Sequence, residues 1–319
     1  MNPDKSPGPD GFTASLLQNC WDIVGKDLYK MVHKSQACQK LGGSTNSSFL
    51  ALIPKEKGAN NFNRFRPISL CNIGYKLITK VIANRLRHIL PKVIPENQGG
   101  FIHGRHLVDN FTLVQEAILS SQQRKEQGMA IKLDLANAFD RFNHSFLLNV
   151  LKKFGFGARF INWIRACISE PWIAPLVNGR SAGFFKATRG LRQGCPMSPL
   201  LFVIQASVLS FHLNNQMQEQ EISGISIARG VQNINHVLFA DDTLLLGIAS
   251  IDSARKFKET LDEYCMESGS SLNKSKCHTY CWNTPPSLIN SISRCLGFAA
   301  SSECSLFKYL GLPIFLKKS

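Results

Sequence analysis

Two adjacent aspartates, Asp241 and Asp242, lie between two apolar runs in the segment Val237–Leu246. The apolar runs predict a β-hairpin, which puts the two carboxylates at its tip. Burying a carboxylate without a partner costs several kcal/mol, and two adjacent carboxylates also repel each other. A bound divalent cation would remove both costs. The alternative is a solvent-exposed Asp-Asp turn without a ligand, and this segment alone leaves both interpretations open.

A third acidic residue, Asp134, interrupts another apolar pattern. Lys132 and Asp134 alternate with apolar residues over 131–135, which predicts a half-buried β-strand. A salt bridge to a nearby Lys or Arg is the simplest alternative explanation of this carboxylate. If the strand lies beside the hairpin, Asp134, Asp241 and Asp242 converge and suit a pair of divalent cations about 3.5–4 Å apart. Because all these ligand atoms are oxygens, the pattern favours Mg²⁺, or Mn²⁺, over zinc.

The segment 189–199, Arg-Gly-Leu-Arg-Gln-Gly-Cys-Pro-Met-Ser-Pro, combines glycines with hydrogen-bond donors. Glycine lets a backbone approach a ligand closely, and Arg189, Arg192 and Gln193 supply donors. The chain contains no Gly-x-x-x-x-Gly-Lys-Ser/Thr sequence, so this segment is not a P-loop. The alternative is a loop between a strand and a helix that Gly and Pro hold in place.

The charge balance of the chain predicts a polyanionic partner. Its 319 residues include 37 Lys and Arg against 22 Asp and Glu, a net charge of +15, which suits nucleic acid or an anionic membrane surface. Lys76, Lys80 and Arg87 share one face of a helix predicted over 75–90, either as a solvated surface or as phosphate contacts. The membrane surface is the less favoured partner, because the basic residues are dispersed rather than gathered beside one apolar helix face.

Three further features exclude other classes of protein. No apolar run reaches the roughly 18–20 residues of a membrane-spanning helix, since Gln205 interrupts the best stretch, Leu200–Leu209. The first residues lack the apolar core of a secretory leader, so we expect an intracellular protein, in the nucleus or cytoplasm. The ten cysteines include no Cys-x-x-Cys pair, and the spacing of Cys277, His278 and Cys281 fits no common zinc module.

The mixture of helical and strand patterns predicts an α+β fold. Helices are predicted over about 14–32, 75–90, 145–154 and 198–209, and strands over 49–53 and 131–135, besides the hairpin around the paired aspartates.

Nine segments occur in a characteristic order: SPGPDGF at 6–12, ALIPK at 51–55, FRPISL at 65–70, NQGGFIHGR at 97–105, KLDLANAFD at 132–140, RGLRQGCPMSP at 189–199, FADD at 239–242, LNKSKC at 272–277 and YLGLP at 309–313. In this order and spacing the chain resembles the reverse transcriptase of non-LTR (long interspersed) retrotransposons, most closely the plant type. The resemblance implies an α+β right-hand polymerase fold with fingers and palm subdomains and a largely absent thumb.

The resemblance also implies roles for individual residues of the palm. Asp134, Asp241 and Asp242 would be the catalytic residues and the metal ligands, with Mg²⁺ as cofactor and Mn²⁺ as a substitute. Phe139 would lie under the sugar of the incoming nucleotide and favour dNTPs, because an apolar ring offers a 2′-hydroxyl neither room nor a hydrogen-bond partner.

The remaining site residues implied by the resemblance would bind template and nucleotide. Gln193 and the adjoining backbone would contact the templating pair and the nucleotide. Lys55, Arg66 and Arg192 would bind the triphosphate, where cations offset the charge that develops on the leaving pyrophosphate.

The resemblance divides the chain into subdomains. The N-terminal segment and fingers would occupy 1–128, the palm with an interleaved fingers segment 129–265, and the end of the palm with the primer-grip region 266–319. The reverse transcriptase domain would span about 36–315. We expect no endonuclease before the first motif, and little or no thumb after the last.

The function implied is RNA-directed DNA synthesis, in which dNTPs are added to a DNA primer on an RNA template by two-metal nucleotidyl transfer. One alternative is a catalytically inactive, RNA-binding remnant of such an element. Another is an RNA-templated RNA polymerase, against which Phe139 argues because that enzyme must accept the 2′-hydroxyl. The oligomeric state is left open by the sequence.

Overall fold

A computed structural model of the protein describes residues 1–301 and 306–316. Helices and strands are mixed along these residues without strict alternation, as expected for an α+β fold. The helices described are α1 (Ala14–Asn19), α2 (Trp21–Cys38), α3 (Ile73–Val93), α4 (Leu107–Gln123), α5 (His144–Lys153), α6 (Ala158–Ile168), α7 (Ser198–Gln218), α8 (Ile251–Ser268) and α9 (Pro286–Leu296). The strands described are β1 (Ser47–Pro54), β2 (Phe65–Cys71), β3 (Gly128–Leu133), β4 (Trp172–Val177), β5 (Arg180–Ser181), β6 (Phe185–Lys186), β7 (His236–Phe239), β8 (Asp242–Ile248), β9 (His278–Trp282), β10 (Ala299–Ser301), β11 (Leu306–Tyr309) and β12 (Leu312–Phe315).

Most of the predicted elements are confirmed within a few residues, including β1, α3, β3, α5 and the hairpin of β7 and β8. The helix predicted over about 14–32 is instead two helices, α1 and α2. Cys20 lies between them with φ −113° and ψ 23°, outside the helical region, and therefore interrupts the helical backbone.

The chain forms two compact units. The first unit comprises residues 1–89 and 142–202, and the second comprises 90–141 and 203–319. These limits differ from the subdomain limits implied by the resemblance. The assignment of fingers and palm to residue ranges stays a prediction.

The first unit contains a sheet with the strand order β2-β1-β4-β5, in which β6 also pairs with β4. β1 and β2 are antiparallel, from the pair Ser48↔Cys71 to the pair Pro54↔Phe65, and β1 runs parallel to β4. Around this sheet, the buried Trp163 of α6 donates a hydrogen bond from Nε1 to Ser35 Oγ of α2 at 3.1 Å.

The second unit contains a five-stranded sheet with the order β10-β9-β3-β8-β7 and a separate hairpin of β11 and β12. The central strand β3 is buried on both faces and ends at Leu133, whereas the alternating pattern predicts a half-buried strand that includes Asp134. Met129, Ile131 and Leu133 belong to one hydrophobic cluster, with α8 and α9. Ala130 belongs to a second cluster on the other face, which includes side chains of α4 and of the β11–β12 hairpin. A sheet covered on both faces is a rigid base for the loops and turns at its edges.

Two expectations about the class of protein can be compared with this structure. Within residues 1–301 and 306–316, no helix is both long enough and apolar enough to cross a membrane. All nine cysteines in the described residues are free thiols, which agrees with the absence of a disulfide pattern in the sequence. Cys304 lies outside the described residues.

Candidate active site

The paired aspartates lie at the tip of the predicted hairpin. β7 and β8 are antiparallel and end at the pair Phe239↔Asp242, so Ala240 and Asp241 form a two-residue turn. Ala240 has a φ of 58°, in the left-handed region that side chains other than glycine rarely adopt. This conformation costs on the order of 1–2 kcal/mol, and the surrounding contacts must hold it in place.

Asp134 lies beside this turn because of the register between β3 and β8. The two strands are antiparallel, and their last pair is Leu133↔Thr243. Asp134 is the next residue after Leu133, and Asp242 is the residue before Thr243. Opposite residues of neighbouring antiparallel strands have Cα atoms about 4.5–5.5 Å apart, so the backbones of Asp134 and Asp242 are neighbours. The register therefore brings together the three aspartates that the sequence singles out.

The backbone around Asp134 is held by the segment 271–277. The N–H of Asn273 donates to the carbonyl oxygen of Asp134 at 2.8 Å, and the N–H of Asp134 lies 3.4 Å from Cys277 Sγ. The N–H of Ala136 donates to the carbonyl oxygen of Ser271 at 2.7 Å. The motif at 272–277 thus positions a carboxylate that lies more than a hundred residues earlier in the chain.

The three carboxylates are electrostatically coupled. Desolvation raises the pKa of Asp242, the charge of Asp241 raises it further, Lys132 opposes these effects and Asp134 adds to them. None of the three forms an ion pair in the part of the chain that the structure describes, so the salt-bridge explanation of Asp134 finds no support there.

The donor set at this turn fits a hard divalent cation, because it consists of carboxylate oxygens that form no ion pair within the described residues. Across the described residues, however, no three His, Cys, Asp or Glu side chains are already gathered as a metal site. The backbone register places the three aspartates side by side, and their side chains would still have to turn toward a shared ion.

Gln98, which the sequence analysis did not single out, holds the turn from beneath. Its side chain is fully buried, and Oε1 accepts hydrogen bonds from the N–H groups of Ala240 at 2.9 Å and Gly100 at 2.8 Å. Nε2 donates a long hydrogen bond of 3.5 Å to the carbonyl oxygen of Ala240. A Cβ atom at Gly100 would come within 2.3 Å of the Ala240 nitrogen, so only glycine fits this close approach.

Further hydrogen bonds, two between backbone groups and one from a side chain, attach the same segment to β7. The N–H of Leu238 donates to the carbonyl oxygen of Asn97 at 2.8 Å, and the N–H of Gly99 donates to the carbonyl oxygen of Leu238 at 2.8 Å. Asn110 of α4 donates from Nδ2 to that same Leu238 oxygen at 2.8 Å. Two consecutive glycines directly after Gln98 are a sequence sign that the backbone there approaches another segment closely. The sequence alone did not show that this segment is the turn at Ala240.

The hairpin of β11 and β12, which carries the motif at 309–313, contacts the strand that ends at the aspartates. Lys132 Nζ donates to the carbonyl oxygen of Lys308 at 2.9 Å. The ring of Phe307 stacks on Tyr280 of β9, with 4.2 Å between centroids. Burial raises the pKa of Tyr309, and the charge of Asp242 raises it by a smaller amount.

Phe139, the predicted selector for dNTPs, lies in a turn that follows Asp134 in the second unit. The side chain is half-buried, and the turn includes Asn137 with a φ of 49°. The N–H of Asp140 donates to the carbonyl oxygen of Asn137 at 2.9 Å, which fixes the course of the turn. The role of Phe139 in sugar selection stays a prediction.

Three of the predicted substrate-binding residues lie on or beside the hairpin of β1 and β2 in the first unit. Lys55 directly follows β1, and its N–H donates to the carbonyl oxygen of Arg64 at 2.9 Å. Arg66, on β2, is exposed, as is Lys55. The carbonyl oxygen of Gln193 accepts a hydrogen bond of 2.7 Å from the N–H of Ser69, also on β2. These contacts place the three residues along one hairpin, and their ligand remains a prediction.

Arg192 occupies a different environment. Its side chain is 6% exposed, and its guanidinium donates to the side chain of Asn46 and to the carbonyl oxygen of Cys167 at 2.8 Å. The guanidinium also lies 3.7 Å from the centre of the Tyr75 ring. A buried guanidinium with these partners stabilises the interior of the first unit. Triphosphate binding would require Arg192 to leave these contacts, so the structure gives that predicted role no support.

Comparison with known proteins identifies the family and the fold. The sequence model of the family described as "Reverse transcriptase (RNA-dependent DNA polymerase)" matches residues 53–314. Telomerase structures from Candida tropicalis (apo, truncated from the C-terminal domain) and Candida albicans (in complex with a TWJ fragment of telomeric RNA) have similar folds. The Candida tropicalis structure has a TM-score of 0.58 and 14% sequence identity, and the match covers 86% of this chain and 54% of that one. The Candida albicans structure has a TM-score of 0.55 and 16% sequence identity, and the match covers 92% of this chain and 48% of that one. These likenesses confirm the α+β right-hand polymerase fold.

Curated relatives point to mobile elements. The "Transposon TX1 uncharacterized 149 kDa protein" of Xenopus laevis is 27% identical over 276 residues, which cover 86% of this chain and 21% of that protein. The "Retrovirus-related Pol polyprotein from type-2 retrotransposable element R2DM" of Drosophila melanogaster is 25% identical over 275 residues, which cover 86% of this chain and 25% of that protein. The chain therefore spans about a fifth to a quarter of the length of these relatives.

These relatives confirm the resemblance to reverse transcriptases of non-LTR retrotransposons, whereas the likeness to the plant type stays a prediction. The family model matches residues 53–314, and the register of β3 and β8 places Asp134 beside the turn at 241–242. The chain belongs to the reverse transcriptase (RNA-dependent DNA polymerase) family.

Proposed function

We propose that this chain is the RNA-directed DNA polymerase of a non-LTR retrotransposon. It would add dNTPs to the 3′-hydroxyl of a DNA primer paired with an RNA template. The observation that carries the proposal is the register of β3 and β8, which brings Asp134 beside the turn of Asp241 and Asp242. Within the reverse transcriptase family, adjacent carboxylates at the end of a covered sheet suit nucleotidyl transfer.

Reverse transcriptases generally depend on divalent metal, and we propose that Mg²⁺, or Mn²⁺, binds here to Asp134, Asp241 and Asp242. When bound, the cations would supply Lewis acidity to the attacking hydroxyl and to the leaving pyrophosphate. The protein's own contribution is positioning. The Ser271–Cys277 segment holds the backbone of Asp134, and Gln98 holds that of Ala240, so the carboxylates would extend from a fixed backbone toward the reacting groups.

The other proposed roles follow from chemistry and exposure. Lys55 and Arg66 are exposed cations on one hairpin and would bind the triphosphate of the incoming dNTP. Gln193 would contact the templating pair, and Phe139 would exclude a 2′-hydroxyl. The net charge of +15 would attract the RNA template and the DNA primer through their phosphates, independently of sequence. Nucleic-acid substrates and dNTPs also imply an intracellular site of action, in the nucleus or cytoplasm.

The test is primer extension on an RNA template with Mg²⁺ and either dNTPs or rNTPs, beside a binding measurement with the same RNA. We expect the wild type to extend the primer with dNTPs. Asp134→Asn and Asp241→Asn should abolish extension and leave RNA affinity unchanged, because they remove a ligand charge without touching the basic residues.

Asp252→Asn is the matched control, since Asp252 is an exposed aspartate in the first turn of α8, and it should extend like the wild type. Equal extension by the Asp134 variant and the wild type would contradict the metal assignment. RNA binding without any extension would identify an inactive RNA-binding remnant, and preferential use of rNTPs would identify an RNA polymerase.

A further inference from the structure

Lys132 of β3 belongs to the face of the sheet from which two of the candidate metal ligands extend. It is two residues before Asp134, and side chains two residues apart on an extended strand lie on the same face. In the neighbouring strand β8, Lys132 pairs with Leu244, which is two residues after Asp242. Paired residues of antiparallel strands share a face, so Lys132, Asp134 and Asp242 start from the same side of the sheet.

The hairpin of β11 and β12 covers this same face. Its residues Phe307 and Tyr309 belong to the hydrophobic cluster that also contains Ala130 and Leu244 of the sheet. Phe307 also stacks on Tyr280 of β9. Because hydrophobic burial has no preferred direction, this packing holds the hairpin on the sheet but does not by itself fix its position along the strands.

Directional contacts hold the hairpin at both of its ends. Lys132 Nζ donates to the carbonyl oxygen of Lys308 at 2.9 Å. Lys308 lies next to the turn of the hairpin and directly precedes the motif at 309–313. At the other end of the hairpin, Gln115 of α4 exchanges two hydrogen bonds with the backbone of Phe315. Lys132 therefore holds the end of the hairpin that carries the motif.

The charge of Lys132 also acts on the acidic turn. Desolvation and the charge of Asp241 raise the pKa of Asp242, and the charge of Lys132 opposes this rise. Burial raises the pKa of Tyr309 in the hairpin, and the charge of Asp242 adds to this rise. Lys132 forms no ion pair within residues 1–301 and 306–316. One ammonium group is thus bonded to the hairpin and acts electrostatically on the turn.

We propose that Lys132 is a positioning residue, which fixes the hairpin that carries the motif at 309–313 relative to Asp134 and Asp242. The proposal rests on the proposed function and on the predicted primer-grip role of this motif, which together put the 3′ end of the primer on the hairpin. A shift of about 1 Å between reacting groups costs about a hundredfold in rate. The bond between Lys132 and Lys308 would therefore set the distance from the primer 3′-hydroxyl to the cations.

The positive charge of Lys132 has a second, opposite consequence. An ammonium group close to the carboxylates disfavours a divalent cation there, because like charges repel. Replacing Lys132 by a neutral residue should therefore strengthen Mg²⁺ binding while it weakens the positioning of the primer. A residue with a purely structural role would lose stability without strengthening the binding of a cation, so this combination distinguishes the two roles.

The experiment compares four variants of the 319-residue protein with the wild type. Lys132→Met keeps the aliphatic length of the side chain and removes its charge and its donors. Lys132→Gln is a second neutral variant, so that the result does not depend on the folding of one protein, and Lys132→Arg keeps the charge and the donors. Gln115→Met is the matched control, because it loosens the same hairpin at Phe315 without changing any charge.

Three measurements are made on each protein. Amide hydrogen exchange, followed by mass spectrometry in the absence of metal, reports the opening of the hairpin. The rise of Tm on addition of Mg²⁺ reports the binding of the cation to the folded protein. Primer extension on an RNA template gives kcat and the KM for the dNTP.

We expect the amides of 306–311 in Lys132→Met to exchange about tenfold faster than in the wild type, because a hydrogen bond from a charged donor is lost. Mg²⁺ should raise Tm by about 1–3 °C more than in the wild type. We expect kcat to fall at least tenfold, and the KM for the dNTP to stay unchanged because Lys55 and Arg66 lie in the first unit. Lys132→Gln should behave in the same way, whereas Lys132→Arg should retain most of kcat and the wild-type effect of Mg²⁺.

The control variant should show faster exchange at Phe315, the wild-type rise of Tm with Mg²⁺, and a kcat within about twofold of the wild type. Three results would overturn the proposal: wild-type exchange in both neutral variants, wild-type kcat in them despite faster exchange, or the same losses and the same Mg²⁺ effect in Lys132→Met and Gln115→Met. Absence of primer extension by the wild type would instead contradict the proposed function. The exchange and Tm measurements would then still test whether Lys132 fixes the hairpin beside the acidic turn.

Discussion

Gln98 and Ala240 are joined by a hydrogen bond of 2.9 Å from the N–H of Ala240 to Gln98 Oε1. Ala240 carries the strained φ of 58° in the turn that presents Asp241, and Gln98 is fully buried beneath it. A strained turn persists only where neighbouring contacts compensate for its cost. The accuracy with which the acidic turn is placed therefore depends on a residue 142 positions earlier in the chain.

Replacing that glutamine tests this dependence. Gln98→Met keeps the volume of the side chain but removes the acceptor for the N–H groups of Ala240 and Gly100. Each buried donor left unpaired costs about 1–3 kcal/mol, so we expect the free energy of unfolding to fall by about 2–4 kcal/mol. We expect kcat for primer extension to fall at least tenfold and the Mg²⁺ concentration for half-maximal rate to rise. Urea unfolding and a Mg²⁺ titration of the extension rate measure both effects.

Gln115 of α4 provides a matched control, because it also bonds to the backbone of a distant strand. Its Oε1 accepts from the N–H of Phe315 at 2.9 Å, and its Nε2 donates to the carbonyl oxygen of Phe315 at 3.1 Å. Gln115→Met should reduce stability without changing the Mg²⁺ requirement. If both variants shift the Mg²⁺ requirement equally, Gln98 contributes stability alone.

Removing one of the crowded carboxylates should stabilise the metal-free protein. Asp242→Asn keeps the shape of the side chain and relieves repulsion from Asp241 and Asp134. Because Asp242 is exposed, water weakens this effect, and we expect Tm in EDTA to rise by only about 1–3 °C. Mg²⁺ should raise Tm of the wild type and have little effect on the variant, since binding to the folded state alone stabilises it.

Asp252→Asn should behave in the opposite way. Asp252 pairs with Arg255 in the first turn of α8, at 3.2 Å, so its loss should lower Tm slightly and leave the Mg²⁺ effect intact. An unchanged Tm of the Asp242 variant in EDTA, together with a full Mg²⁺ effect, would argue against a shared cation site at this turn.

Phe139→Val tests the selection of the sugar. A smaller side chain leaves room for a 2′-hydroxyl, so we expect the ratio of kcat/KM for rNTP to that for dNTP to rise by about 10–200-fold. The change should appear mainly in rNTP incorporation, because a dNTP does not occupy the freed space. Single-nucleotide insertion on one RNA template measures both substrates. An unchanged ratio would remove Phe139 from this role.

Acid should destabilise the second unit through His236, at the start of β7. Burial lowers the pKa of His236 from 6.5 to about 3. As pH falls from 6.5 toward 3, the unfolded chain therefore binds a proton that the folded protein does not. This group reduces the free energy of unfolding by up to about 1.4 kcal/mol for each pH unit in that window.

Urea unfolding between pH 6.5 and 5 measures this dependence. His236→Leu should be less stable at pH 7, because the side chain of Asn235 loses its 2.6 Å contact with His236 Nδ1, but its stability should depend less on pH. His33→Leu, which removes an exposed histidine of α2, should keep the wild-type dependence. The same pH dependence in the His236 variant and the wild type would contradict this origin of the acid sensitivity.

The local patterns of the sequence were sufficient for several of the individual elements. Alternating apolar residues predicted β3, and the two apolar runs around Asp241 predicted the hairpin of β7 and β8, because the faces of a strand depend on neighbouring residues. The order of the motifs was sufficient for the family. The break between α1 and α2 was missed, since Cys20 carries no strong helix-breaking signal in its sequence context.

The sequence by itself singled out the candidate site residues: three aspartates, a basic face on α3 and a glycine-rich segment at 189–199. Only the tertiary structure decided that β3 pairs with β8 in the register that sets Asp134 beside Asp242, that Gln98 supports the turn, and that Arg192 is buried. The physical reason is that pairing and burial between residues a hundred or more positions apart depend on how the whole core packs. No local pattern contains that information.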